Sequence, residues 1–305
     1  MIRFLVDTSS DYTVEEIKTN GMELVPLHIT LGEADYRDGY DLTKDHFYEL
    51  LTSNEEFPKT SQPTPQDFVD IFEDVQEKGD ELICILLSSR LSGTFQSATL
   101  AKNIVDYDNI HLVDSLGATH MIRIMADYAQ ELANAGKSAK EIVAALEEMK
   151  SKIKVLAVVD TLEYLCKGGR VSKTTAAIGE MAKVKPMITV AEGEVAVIGK
   201  SLGKNKAIGN LLKALGECEV DDRFPIYSVS TLGEENCEAF EARLTAEGYA
   251  FKERLQIGAT IGTHVGPGVF GIIFVQKKYI IIVIITKINV CKIRLICYTI
   301  FKRKI

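Results

Sequence analysis

The 305-residue chain has no tryptophan, only five histidines and only seven prolines. His28, His46, His111, His120 and His264 stand at no metal-ligand spacing from one another or from a cysteine, which argues against zinc. The six cysteines (Cys84, Cys166, Cys218, Cys237, Cys291, Cys297) include no Cys-x-x-Cys pair and read as reduced thiols of a cytoplasmic protein. No run reaches the roughly 20 apolar residues of a membrane span. The start, Met-Ile-Arg-Phe-Leu-Val-Asp, meets a charge too soon for a signal peptide. Gly-x-x-x-x-Gly-Lys-Ser/Thr and a helix-opening Gly-x-Gly-x-x-Gly are both missing, so a nucleotide site has no support, and no cofactor is expected. Basic excess is missing too. A net charge of −8 argues against nucleic acid as the main partner.

That charge is unevenly spread. Residues 277–305 hold eight Lys or Arg and no acid, which leaves 27 bases against 43 acids in the rest of the chain. From Tyr279 onward ten residues are Ile, with no glycine or proline. Three readings of this basic, Ile/Lys-rich tail stand: an interfacial segment making transient membrane contact, an extra edge element, or a non-native extension. The Ile, Lys, Asn and Tyr bias of AT-rich coding favours the last. On that reading, removing the residues after Lys278 leaves the melting temperature and ligand binding unchanged, and a truncated chain that fails to fold refutes it.

The body alternates strands with helices. Ile83 to Leu87 is a short apolar run suited to a buried strand, and it empties through Ser88, Ser89, Ser92 and Gly93 into a helix over 94–105. Such a turn suits an anion, because the first turn of a helix carries unpaired N–H groups and the positive end of its dipole. Equally, Ser92 can be no more than a cap. Strands are expected at 2–6, 22–31 and 110–113, and helices at 45–52, 65–78, 118–135 and 139–150. Residues 32–43 read as a polar excursion and 59–65 as a loop broken by Pro63 and Pro65. This pattern predicts an α/β domain over 1–152 with a mostly parallel sheet covered by helices, its ligand at the carboxyl ends of the strands. The loops 7–11, 88–93 and 114–117 all lie at such ends. A smaller mixed α/β domain over 153–276 follows, with a hairpin over 186–198. The stretch 258–268 is too glycine-rich for a plain strand and brings backbone close to something, with His264 at its centre.

Chemistry has few carriers here. Asp7 and Asp11 are the candidates for a phosphatase or hydrolase, but Ser9 stands where Asp-x-Asp-x-Thr chemistry needs its second carboxylate, and capping is the simpler role. Thr60, Ser61, Ser92, Thr94 and His264 remain as small donors. Hydroxyls and one imidazole at a helix start suit a carboxylate better than a phosphate, which would recruit Arg or Lys.

Six ordered motifs then carry a resemblance over about residues 2–276: Asp7-Thr8-Ser9-Ser10-Asp11, Thr60-Ser61-Gln62-Pro63, Leu91-Ser92-Gly93-Thr94, Val113-Asp114-Ser115, Gly168-Gly169-Arg170 and Gly262-Thr263-His264-Val265-Gly266-Pro267-Gly268. Together they resemble the DegV family, which includes the fatty-acid-binding subunits of bacterial fatty acid kinase. The resemblance implies two α/β domains around a tunnel for one long-chain fatty acid. It implies a carboxylate held by Thr60, Ser61, Ser92, Gly93 and His264, and no catalysis by the chain itself. A separate ATP-using kinase subunit would make acyl phosphate for phospholipid synthesis, docking near Arg170. Leu202 departs from the pattern, standing where kinase-linked members tend to carry another arginine. A lipid sensor or store without a kinase partner is therefore the alternative.

Overall fold

The computed structural model describes residues 1–277 except 55, 173–183 and 234; the tail readings lie outside the described residues. A four-stranded parallel sheet runs in the order β2-β1-β6-β7, from Glu23–Val25, Ile2–Asp7, Glu81–Leu86 and Ile110–Asp114. Its side chains divide with the two-residue period of a strand. Leu82, Cys84 and Leu86 face the helices α3 (Pro65–Lys78) and α4 (Thr94–Val105). Ile83 and Ile85 face α5 (His120–Asn134) and α6 (Ala139–Met149). Helices on both faces explain why these strands are apolar on both sides. Thr13 begins α1 (Val14–Thr19) with a capping box closed by Glu16.

The second sheet is mixed, in the order β10-β9-β8-β13-β11-β12. Its strands are Ile153–Val158 (β8), Val184–Ala191 (β9), Glu194–Leu202 (β10), Tyr227–Ser230 (β11), Glu253–Gln256 (β12) and Phe270–Val275 (β13). β9 and β10 form the expected hairpin, longer than predicted and turned by Glu192 and Gly193, both at positive φ. Leu156, Ile272 and Phe274 pack outward on α8 (Lys204–Gly216) and α9 (Glu235–Ala246). Val155, Ala157, Ile188 and Val229 face the other way and share one apolar cluster with Ile83, Ile85 and α5.

Three expectations change. Residues 22–31 form two strands rather than one. β2 ends at Val25, and beyond Pro26, which offers no N–H to a ladder, β3 (His28–Leu31) pairs in another sheet. The excursion 32–43 contains β4 (Ala34–Arg37). The supposed loop at 59–65 opens as β5 (Lys59–Ser61), an edge strand antiparallel to β3 with Thr60 opposite Ile29. Pro63 and Pro65 stop that strand without preventing it, since three residues pair before the first of them.

Candidate functional site

Asp7 ends β1 and ties the strand ends together. Its carboxylate accepts from the Ser9 N–H (2.9 Å), the Ser9 hydroxyl and the Leu87 N–H (2.7 Å). Ser88 N–H donates to the Gly117 carbonyl at 3.0 Å, joining the second and third expected loops. Asp11, in the left-handed region at φ 63°, accepts from the Thr119 hydroxyl and from Gly258 N–H at 2.9 Å. Burial pushes the Asp7 carboxyl up to about 6 and raises that of Asp11 as well. Both are fully enclosed, with their oxygens committed to protein donors. Among the described residues no three His, Cys, Asp or Glu side chains gather as metal ligands.

A cavity lies between this set of loops and the inner face of the mixed sheet, with about 800 Å3 of space between atoms, mouth included. The walls are mostly aliphatic, with no Phe, Tyr or Trp among the described lining residues. β8 and β9 contribute Val155, Ala157, Ile188 and Val190 at alternate positions. Seven lining residues are polar. Three of those have their hydroxyls turned to protein acceptors: Thr119 to Asp11, Thr260 to Asp38 and Thr189 to the Val155 carbonyl. The other four are Thr60, Ser92, Arg170 and His264.

Thr60 Oγ1 and His264 Nε2 lie 2.8 Å apart, so β5 and α10 (Ala259–Val265) are joined at this point. Ser92 Oγ lies 2.9 Å from Thr94 Oγ1 and accepts from the Thr94 N–H at 3.3 Å. Thr94 itself is buried and does not line the cavity. Ser92 therefore touches the start of α4 and lines the cavity as well, while Gly93 is the N-cap residue of the helix. Gly93 does not line the cavity. A Cβ there would lie 1.9 Å from the Gln62 amide oxygen, so its smallness serves packing against β5's continuation. Ser61 is exposed, because alternation along β5 puts it on the face opposite Thr60.

The stretch 258–268, read as too glycine-rich for a plain strand, contains the helix α10, which carries His264. Carboxylates from the first half of the chain hold its start. Asp11 takes the Gly258 N–H, and Asp38 takes the N–H (3.1 Å) and hydroxyl of Thr260. Tyr48 of α2 (Lys44–Ser53) donates to the Ile257 carbonyl at 2.9 Å. His264 is buried, and burial, then the charge of Arg170, lowers its pKa to about 4. It is thus a neutral imidazole at pH 7, with Nδ1 unpartnered among the described residues. Gly168, which caps α7 (Glu163–Lys167), makes room for the ring: a Cβ there would stand 2.2 Å from His264 Nδ1.

Arg170, expected on a docking surface, lines the cavity half-buried and donates from Nε to the Leu91 carbonyl at 3.1 Å and from Nη1 to that of Gly168. Burial lowers its pKa. Asp38 escaped sequence reasoning, and Gly168 entered it only as part of the motif Gly168-Gly169-Arg170, without its role beside His264. Each acts by holding another residue, and nothing in residue type or local spacing marks that.

The same architecture occurs elsewhere. A fatty-acid-binding DegV family protein from Thermus thermophilus superposes with a TM-score of 0.81 at 30% identity, over 90% of this chain and 99% of its own. DegV from Bacillus subtilis, described as a fatty acid binding protein, gives 0.78 at 30% identity over 90% and 99%. A stearic-acid-binding protein from Eubacterium ventriosum gives 0.81 at 26% identity over 91% and 99%. In sequence, a DegV domain-containing protein of Caldanaerobacter subterraneus subsp. tengcongensis is 36% identical over 278 residues, spanning 90% of this chain and 99% of the relative. The family model described as "Uncharacterised protein, DegV family" matches residues 1–277. With the fold, the whole length before the tail and the ordered motifs in agreement, the chain belongs to the DegV family.

Proposed function

We propose that the protein binds one long-chain fatty acid, its acyl chain along the aliphatic cavity and its carboxylate among Thr60, Ser92, His264 and Arg170. One observation carries this reading: a cavity walled by Leu, Ile and Val brings together Thr60 of β5, Ser92 before α4, His264 of α10 and the adjoining Arg170. Thr60, Ser92 and Arg170 are half-buried, whereas Val229 and Val269 are almost fully enclosed. The head of the ligand is therefore the end nearer solvent.

Burying a methylene gains about 0.8 kcal/mol, so roughly 15 of them offer on the order of 12 kcal/mol before ordering and association costs. The chain supplies affinity, and the polar end fixes orientation, because a carboxylate left unpaired there would be costly. Solvent proximity of the head also supports the finer reading, in which the carboxylate is presented to a separate ATP-using kinase subunit. Acyl phosphate formed on adding such a subunit with ATP supports that step, and failure to form it leaves a carrier or store.

Native mass spectrometry of the freshly purified protein, with identification of the released lipid, tests the binding itself. The Ser92→Ala, His264→Ala double variant is expected to weaken stearate binding by about tenfold or more, since it removes a charge-assisted contact. An unchanged dissociation constant would falsify the site.

A further inference from the structure

One wall of the aliphatic cavity is tied to the mixed sheet by little backbone. β8 pairs with β13 along its whole length, from Ile153 opposite Val275 to Val158 opposite Phe270. Among the described residues it pairs with β9 at two positions, Ala157 opposite Ile188 and Val158 opposite Met187. Past Ile188 the ladder stops, and the Val155 carbonyl accepts instead from the Thr189 hydroxyl at 2.7 Å. Thr189 lines both the cavity and the pocket on the opposite face of the sheet, as a residue beside a gap between strands can. At the same level β10 has a bulge between Val197, the partner of Ile188, and Gly199. A bulge bends the strand that carries it.

What projects past this level is a two-stranded arm, 189–197, laddered between its own strands. Val190 and Val195 pair across it and line the cavity. Its tip reaches the loop after β6, where Ser88 Oγ donates to the Gly193 carbonyl at 2.8 Å and Arg90 Nη1 lies 3.0 Å from Glu194. That ion pair is more than half exposed on both sides and adds little. Val190, Val195 and Val197 rest on the main apolar cluster, which keeps the closed form dominant. The arm can still leave as a unit, because no rung of its own ladder has to break. Local opening favours segments held in this way.

The geometry points to the arm 189–197 as a flap: it bends at the level of Ile188 and Ile198, its tip leaves Ser88, and the acyl chain passes into and out of the cavity through the gap. The flap rests on the fatty-acid reading and adds the route by which the ligand exchanges.

A disulfide at the tip tests this in the full-length protein. A Cβ at position 193 would stand 2.6 Å from Ser88 Oγ, so Ser88→Cys with Gly193→Cys brings two sulfurs within bonding reach. Strain from a side chain at φ 85° is common to the oxidised and reduced forms. With the disulfide confirmed by intact mass, release of radiolabelled stearate to excess albumin should slow roughly tenfold or more on oxidation. The dissociation constant at full equilibration should stay within about threefold, since a flap gates both directions. Ser88→Ala with Glu194→Ala needs no disulfide and should speed uptake and release alike by about threefold or more, whereas mere loss of packing would raise the dissociation constant. Three results overturn the flap: equal release from the oxidised and reduced protein, a matching slowdown in oxidised wild type, or wild-type rates in Ser88→Ala with Glu194→Ala. Wild type that binds no stearate overturns the fatty-acid reading, and the flap with it.

Discussion

At the scale of single residues, the site turns on a histidine held where it could not otherwise fit. His264 Nε2 meets Thr60 Oγ1 at 2.8 Å, while its other ring nitrogen faces the space a side chain at position 168 would fill. Gly168 has ordinary backbone angles at φ −72°, so an alanine there would suffer no conformational strain. The whole effect of Gly168→Ala is steric. A Cβ placed 2.2 Å from Nδ1 pushes the imidazole off Thr60. Stearate should then bind about tenfold more weakly, the scale of one lost hydrogen bond to a charged head, while the melting temperature barely moves. A Gly168→Ala protein that binds stearate like the wild type would show that the ring position is irrelevant to the head. Arg170 belongs to the same corner, and its half-buried charge is what an incoming carboxylate would offset.

At the scale of elements, α10 is the piece on which the rest of the site depends. Gly262 in this short helix faces α2 so closely that a Cβ would come within 2.7 Å of the Tyr48 hydroxyl and 2.8 Å of the Phe47 ring. Alanine is the better helix former by about 1 kcal/mol, which would favour Gly262→Ala on propensity alone. Packing decides the other way. Phe47 and Tyr48 are fully buried, and Tyr48 is also fixed to the Ile257 carbonyl, so neither ring can yield cheaply. Overpacking of this kind costs about 1–3 kcal/mol, so chemical denaturation should show net destabilisation, with weaker stearate binding as α10 shifts. A more stable Gly262→Ala variant would mean that the contact is slack. This element also marks the limit of what was legible beforehand. The parallel sheet, its helices and the presence of the hairpin follow from short apolar runs, the 3.6 period of the helices and a glycine-containing turn, which local sequence states outright. By contrast, α10 is seven residues long with a glycine at each cap, and what holds it is Asp11 and Asp38 at its start, more than 200 residues away in the chain. β5 was hidden for a similar reason: three residues before a proline form a strand only because β3 is there to pair with them. The residues of the head site were readable as types, yet their convergence is a tertiary fact. The choice between Thr60 and its neighbour Ser61 rested on a strand that the prolines concealed.

At the scale of the whole molecule, the two sheets share one apolar cluster, and buried polar links cross it at its edge. Those links make the fold's response to acid a sum of opposing parts. Asp38 titrates at 3.8 when unfolded and at about 6 in the folded protein, chiefly because it is buried. Between those values the folded state holds a proton that the unfolded chain has released. The contribution of Asp38 is therefore fully present below about 3.8 and is lost as pH rises through 6. His264 runs the other way. Its unfolded value of 6.5 falls to about 4 on folding, so its contribution is present above 6.5 and is lost as pH falls through 4. Between pH 4 and 6 the two slopes oppose each other, and removing either should unmask the other. Asp38→Asn should gain stability relative to wild type as pH rises across this window, and His264→Asn should gain relative to wild type as pH falls. Each tilt should amount to about 1–3 kcal/mol, the size of a pKa displaced by a unit or two. Urea unfolding of the three proteins at pH 4, 5, 6 and 7 resolves both tilts. Stability curves that run parallel across that range would mean that neither group has its folded-state pKa displaced as assigned, and the imidazole would then be protonated below about 6.5 in the folded protein as in the unfolded chain.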